Sequence, residues 1–376
     1  MSGSVDKEEL SIKIRKSLEE VQLKPREVAN KQAIRAMHST HKSDFVQRNL
    51  SFWNKNKHLC GDFLLDGKRL NPENIVPQLI QIEPNDAHSA KVFRLACFNW
   101  SIPTSRGFGR RLRFLVWDKH HNALIGLIGL TDPVFNLKVR DEVIGWDANA
   151  RKERLTCVMD AFTLGAVPPY SHLLGGKLVA ALLSSEQIQD CFTLKYQNRA
   201  GIISGQKKQP QLAAITTTSV LGRSSVYNRL KLNGQKILSP IGFTSGYGHF
   251  QFSDHIFKEM KNLVEAESPE KANSFSFGHG PNWKIRTIRE ALRILGIDQT
   301  VVKHGIRREV FICRLFENSF DHLKAGIMLK GSLTRATEVI SNDAMNRWVV
   351  PRSQRDKRFQ NFKADDWIER IIERQQ

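Results

Sequence analysis

The apolar positions gather into two neighbouring strand-like runs, Arg111-Leu-Arg-Phe-Leu-Val-Trp117, in which arginines interrupt the first half, and Ala123-Leu-Ile-Gly-Leu-Ile-Gly-Leu130, apolar and glycine throughout. With a turn through Asp118 to Asn122 they predict a β-hairpin whose loop is longer than a two-residue turn. Gly126 and Gly129 within its second strand predict bulges, or the close approach of another backbone or a ligand. Cys157 to Tyr170 reads as a strand and a turn, and Ser171 to Leu183 as a helix capped by Ser171. Gly175 and Gly176 fall in the first turns of that helix, where alanine would serve the helix better. Leu212 to Val220 is apolar and β-branched enough for an interior strand, and its three consecutive threonines require hydroxyl partners if buried. Gly222 ends the strand, and Ser224 or Ser225 then caps a short helix carrying Tyr227, Asn228 and Arg229.

The remaining elements are a Gly-punctuated strand over Ile241 to Phe252, a Ser253-capped helix over Asp254 to Ala266, and an amphipathic basic helix over Lys284 to Leu295. A turn plus strand covers His304 to Leu315, and a polar helical tail ends with Trp367 to Gln376. Before the hairpin, Val5 to Glu20 and Arg26 to Ala36 have helical spacing, the second opened by Pro25, and Gly61 to Pro77 is a turn-rich connector. Lys138 to Asp147 reads as a loop and Ala148 to Leu155 as a short charged helix. The pattern predicts a mixed α/β (α+β) fold in three segments: a helical and connector region 1–85, a core 86–265, and a basic C-terminal extension 266–376.

Composition narrows the function. The 376 residues carry 57 Lys+Arg against 38 Asp+Glu, a formal charge of +19 that exceeds what solubility requires and attracts polyanions, nucleic acid first. The basic side chains cluster, and Arg106, Arg110, Arg111, Arg286, Arg289, Arg307 and Arg308 are the candidates for phosphate-backbone contact. No run approaches the roughly 18 apolar residues of a membrane span, and no apolar signal core opens the sequence. Cys60, Cys97, Cys157, Cys191 and Cys313 are scattered without a close pair, which speaks against a zinc ribbon or a disulfide framework and for reduced thiols in the cytoplasm.

Three kinds of chemistry are open. A strand that runs into a capped helix start makes an anion-binding corner, with Lys177 and Arg223 supplying charge and Thr217 and Ser219 hydroxyl donors; tight helix-to-sheet packing explains the same glycines. Asp132, Asp141, Glu142, Asp147 and Asp160 could supply carboxylates to Mg²⁺, yet no compact metal motif is present, and salt bridges to the many nearby arginines are the preferred account of them. Nucleophilic catalysis by Cys157 or Cys191 with His172 or His249 needs only residue types that any chain of this length contains.

Several motifs occur together: Trp100-Ser-Ile-Pro, Gly107-Phe-Gly-Arg-Arg-Leu-Arg-Phe, Asp132-Pro-Val-Phe, Arg140-Asp-Glu-Val-Ile-Gly-Trp-Asp, Gly165-Ala-Val-Pro-Pro-Tyr, Leu174-Gly-Gly-Lys, Thr216-Thr-Thr-Ser, Gly222-Arg-Ser-Ser-Val-Tyr-Asn-Arg-Leu, Gly280-Pro-Asn-Trp and His304-Gly-Ile-Arg-Arg-Glu-Val-Phe. Taken together the sequence resembles component A of the Druantia anti-phage family. That resemblance implies a role in bacterial antiviral defence beside companion proteins that include a large helicase, and it supplies no reaction. The order of elements is also similar to the acyl-CoA transferases of the GNAT superfamily. Carried over, His172, Gly175, Gly176 and Lys177 would line the phosphates of an acyl-CoA cofactor, and Tyr227 would protonate the leaving thiolate. Here the two glycines are adjacent, where that family separates them by one residue.

Overall fold

The computed structural model describes residues 6–21, 31–105, 107–198, 210–246, 248, 252–276, 283–303 and 305–373. The hairpin forms as the pattern requires: β2 (Arg111–Asp118) pairs antiparallel with β3 (Ala123–Thr131). Around it the described residues build one seven-stranded sheet in the order β1-β2-β3-β4-β5-β9-β8, with β1 Pro77–Gln81, β4 Val158–Ala166, β5 Ala214–Thr218, β8 Ser239–Phe243 and β9 Glu309–Arg314. Two short strands, β6 Lys231–Leu232 and β7 Gln235–Lys236, make a separate ribbon. Every neighbouring pair in the large sheet is antiparallel except β4 and β5.

Both faces of the sheet are covered, so its central strands lose the in–out alternation expected of a solvated sheet. All nine residues of β3 are buried. Leu112, Phe114 and Val116 join the larger core with Met159, Leu178, Phe192, Phe311 and Phe359, whereas Leu115, Leu124 and Leu127 point into a second core with Trp53, Phe63, Phe93 and Trp367. Gly126 and Gly129 sit beside register shifts at Val116/Trp117 and Gly129/Leu130. Protein occupies the space beside them: a Cβ on Gly126 would lie 2.3 Å from the Gly165 carbonyl oxygen, and one on Gly129 would lie 2.7 Å from the Phe162 ring.

A third core lies apart from the sheet. Leu10 and Ile14 of the helix Lys7–Val21 pack with Met260, Leu263 and Val264 of the helix Asp254–Glu267 and with Ile288 and Leu292 of the helix Trp283–Ile294. The far ends of the sequence also meet across the second core. The Trp53 and Trp367 rings are 5.9 Å apart, and the Gly67 N–H donates to the Phe362 carbonyl at 2.9 Å.

Three local expectations are corrected. Lys138–Ile144 is a helix, ended by Gly145 at φ 75°, because Arg140 is turned fully inside rather than out to water. Ser171 does not cap: it lies in a 3₁₀ turn, Tyr170–Leu173, and the helix starts later, over Gly175–Ala181, behind a left-handed Leu174 and with no side-chain cap. The segment after Gly222 turns without becoming a helix, although Ser224 Oγ does accept from the Tyr227 N–H at 3.1 Å. Ser253 caps as predicted, accepting from the Ile256 N–H at 3.3 Å. The five cysteines are free thiols, and no helix among the described residues is long and apolar enough to cross a membrane.

Candidate functional site

The site grows from the one parallel pair. β4 and β5 pair only from Val158↔Ala214 to Asp160↔Thr216, and beyond that point residues 161–166 of β4 pair with β3 alone. The strands therefore part company halfway along β4, and polar side chains from the β5 side fill the gap. Thr216 Oγ1 donates to Asp160 Oδ1 at 2.7 Å, and Thr217 Oγ1 donates to the Ala161 carbonyl at 3.0 Å, which gives two of the three threonine hydroxyls their partners. Burial pushes the Asp160 carboxyl up to about 6, against the opposing pull of the Thr216 hydroxyl and the Arg140 guanidinium. Tyr227 reaches further along the gap. Its hydroxyl donates to the Leu164 carbonyl at 2.9 Å, its ring meets Phe311 edge-on at 5.5 Å, and burial pushes its phenol above the ordinary tyrosine range. The turn that carries Tyr227 is held by Glu309, whose Oε2 accepts from Asn228 Nδ2 at 2.7 Å and from the Ser224 N–H at 3.3 Å.

At the mouth of the gap lie the adjacent glycines. Gly175 is wedged against backbone, since a Cβ there would stand 2.7 Å from the Tyr170 carbonyl oxygen; Gly176 is open, its nearest neighbour being Val226 Cγ1 at 3.8 Å. Lys177, half-buried, holds its ammonium 5.6 Å from the ring centroid of Trp348. Trp348 belongs to a single π-helical turn, Met345–Val349, inserted between the helices Thr337–Ala344 and Val350–Arg355. Burial and two guanidiniums, those of Arg347 and Arg229, lower the Lys177 pKa. His172, on the 3₁₀ turn, is lowered by burial and by Arg358. The fold thus brings His172, Gly175, Gly176 and Lys177 to one corner, with Thr217 inside the sheet and Ser219 buried just beyond β5, while Arg223 stands exposed in the turn after Gly222. Sequence reasoning missed Arg229, Arg347 and Trp348 as members of this corner, because nothing in local spacing links Lys177 to a turn so much later in the sequence.

Residues 28–325 match the family described as Druantia protein DruA. The chain belongs to this DruA family. It is 46% identical over 346 residues to the Druantia protein DruA of Escherichia coli (strain UMEA 4076-1), an alignment covering 91% of this chain and 84% of the relative. No solved structure matches.

The basic residues of this DruA-family chain divide into two sets. Arg110 is internal scaffolding: it pairs with Asp132 at 2.7 Å, donates to the Thr156 carbonyl at 2.8 Å and lies over the Phe192 and Tyr196 rings. Arg308 also turns inward, 3.4 Å from His38 Nε2, and burial lowers its pKa. Arg111, Arg286, Arg289 and Arg307 are exposed; Arg106 lies outside the described residues. The acids are largely committed as well. Asp141 pairs with the fully buried Arg140 at 2.7 Å and with Arg151 at 3.0 Å, whereas Asp147 pairs with no arginine among the described residues and caps the helix Ala148–Arg154 through the Ala150 N–H at 2.7 Å. Among the described residues no three His, Cys, Asp or Glu side chains gather as a metal site would require.

Proposed function

We propose that this chain works in Druantia defence, in the bacterial cytoplasm, as the component that holds nucleic acid on a basic surface beside its companion proteins, a large helicase among them. The observation that carries the reading is charge left over after internal pairing. The acids nearest the arginine-rich segments are spent on Arg110, Arg140, Arg151, Arg335, Arg352 and Arg358. Arg111, Arg223, Arg286 and Arg307 are exposed, and none pairs with a carboxylate among the described residues. Solvated guanidiniums of this kind exchange counterions for phosphates, so affinity falls with salt at a log–log slope of about −0.9 per phosphate contacted on duplex DNA. Titration of labelled single- and double-stranded DNA and RNA across a salt series is the test. The slope is expected to become shallower by about 1 for each of Arg111→Gln, Arg286→Gln and Arg307→Gln that removes a contact. Absence of binding at about 50 mM salt would transfer the surplus charge to a protein partner.

A second reading, transfer of an acyl group from an acyl-CoA, is favoured by one observation. The single parallel strand pair among the described residues opens towards a Gly-Gly-Lys turn, and crevices at splayed parallel strands are where ligands bind in open α/β sheets. In that reading Tyr227 would have to release the Leu164 carbonyl to donate to a thiolate. Calorimetry with coenzyme A separates the readings: binding abolished by Gly176→Glu supports the transferase.

A further inference from the structure

We propose that Lys177, Arg229 and Arg347 form a binding site for a terminal phosphate or pyrophosphate group. Three separate elements deliver these cations to one place: the Gly175–Ala181 helix brings Lys177, the turn that carries Tyr227 brings Arg229, and the π turn Met345–Val349 brings Arg347. The elements meet there: the Lys177 ammonium lies 5.6 Å from the ring centroid of Trp348, the residue after Arg347, and a Cβ on Gly176 would lie 3.8 Å from Val226 Cγ1, on the turn that carries Arg229; both guanidiniums help burial to lower the Lys177 pKa. The acid best placed on sequence to neutralise Arg347 is Asp343, one helical turn earlier, but it is already held by Arg335 at 2.8 Å and by Asn233. Asp356 is likewise taken, by Arg352 and Arg358. Neither Arg229 nor Arg347 has a carboxylate partner among the described residues.

A folded chain gains nothing from holding three like charges together, one of them partly desolvated over an indole, so the arrangement has its use in an anion that relieves the repulsion. Its size follows from charge. A phosphodiester in a strand offers one negative charge, whereas three cations match the two or three of a terminal phosphate or a pyrophosphate, and guanidiniums take such groups with paired, charge-assisted hydrogen bonds. Gly176 leaves the floor beside Lys177 without a side chain, so the group can approach closely. The π turn does the aiming: one extra residue in a helix re-phases the side chains beyond it, and such turns recur at functional sites. Here it sets Trp348 under Lys177 with Arg347 alongside. A nucleotide and the phosphorylated end of a nucleic-acid strand both carry this chemistry.

The test uses the full chain, with inorganic pyrophosphate, ADP and two oligonucleotides that differ only in a 5′-phosphate or a 5′-hydroxyl. Pyrophosphate is expected to bind, and Arg229→Gln and Arg347→Gln, which remove no internal partner, should each weaken it by about tenfold or more, the loss of one charge-assisted hydrogen bond, at unchanged melting temperature. Arg286→Gln, on the helix Trp283–Ile294 of the third core, should leave pyrophosphate binding intact. Preference for the 5′-phosphorylated strand, lost in Arg347→Gln, would make the ligand a strand end; ADP binding with no strand preference would make it a nucleotide. Unaltered pyrophosphate binding in both variants, or none by wild type, overturns the site. Oligonucleotide binding that depends on Arg286 and ignores Arg347 would leave the nucleic-acid reading standing while the site falls, and pyrophosphate binding that depends on Arg347 with no oligonucleotide binding would do the reverse.

Discussion

Arg140 and Asp141 show what an internal charge requires. The Arg140 guanidinium is fully buried and makes four hydrogen bonds, two to Asp141 and one each to the Val134 and Phe135 carbonyls. Asp141→Ala leaves that cation inside without its counter-charge and should lower stability by about 3–5 kcal/mol in urea unfolding. Asp147→Ala removes only a helix cap and should cost about 1 kcal/mol; equal costs would mean that the pair contributes no more than a cap. Asp160 makes its own contribution to the pH dependence. Its carboxyl rises from 3.8 to about 6 on folding, so between those values the native chain holds a proton that the unfolded chain has released. Stability therefore falls as pH rises through that window, by on the order of 2 kcal/mol once the partial exposure of the group is allowed for. Asp160→Asn cannot titrate and should gain on wild type by that amount between about pH 4 and about pH 7. A pH-independent difference would place the Asp160 titration at an ordinary carboxylate pH.

Among elements, the ones legible in the sequence were those whose pattern is set by contact with a core. The hairpin Arg111–Thr131, the Thr-rich strand, the Ser253-capped helix and the basic helix Trp283–Ile294 stand where periodicity put them. The helix Lys138–Ile144 was missed because it buries an arginine, which a hydrophobic pattern counts as outside. The corner at Gly175 was half legible. Two glycines in a helix start announced close packing, but the spacing could not say which of them is pressed. Gly175→Ala drives a methyl against the Tyr170 carbonyl and should destabilise, whereas Gly176→Ala meets only Val226 at 3.8 Å and should be neutral or gain up to about 1 kcal/mol of helix propensity. Thermal melts of the two variants check this, and a loss at Gly176 matching that at Gly175 would refute it. Arg229 and Arg347 were beyond reach, since tertiary packing alone brings their elements to Lys177.

On the scale of the molecule, the sheet is clasped by segments from both ends of the sequence. Trp367, on the helix Ala364–Glu373, packs at a tilt against Trp53 and donates from Nε1 to Asn99 Oδ1 at 3.1 Å. Trp367→Ala empties part of the second core and should cost about 3–5 kcal/mol, with a red-shifted Trp53 emission as the local reading. The same clasp bears on synthesis. Trp53 is fully buried in the finished protein, yet the ring that covers it emerges from the ribosome only after some 300 further residues, roughly 15 to 60 s at 5–20 residues per second. For that interval Trp53 and the apolar side chains around it lack their last layer, so the early half of the nascent chain waits on the late one and is a natural client for a chaperone that shields apolar surface.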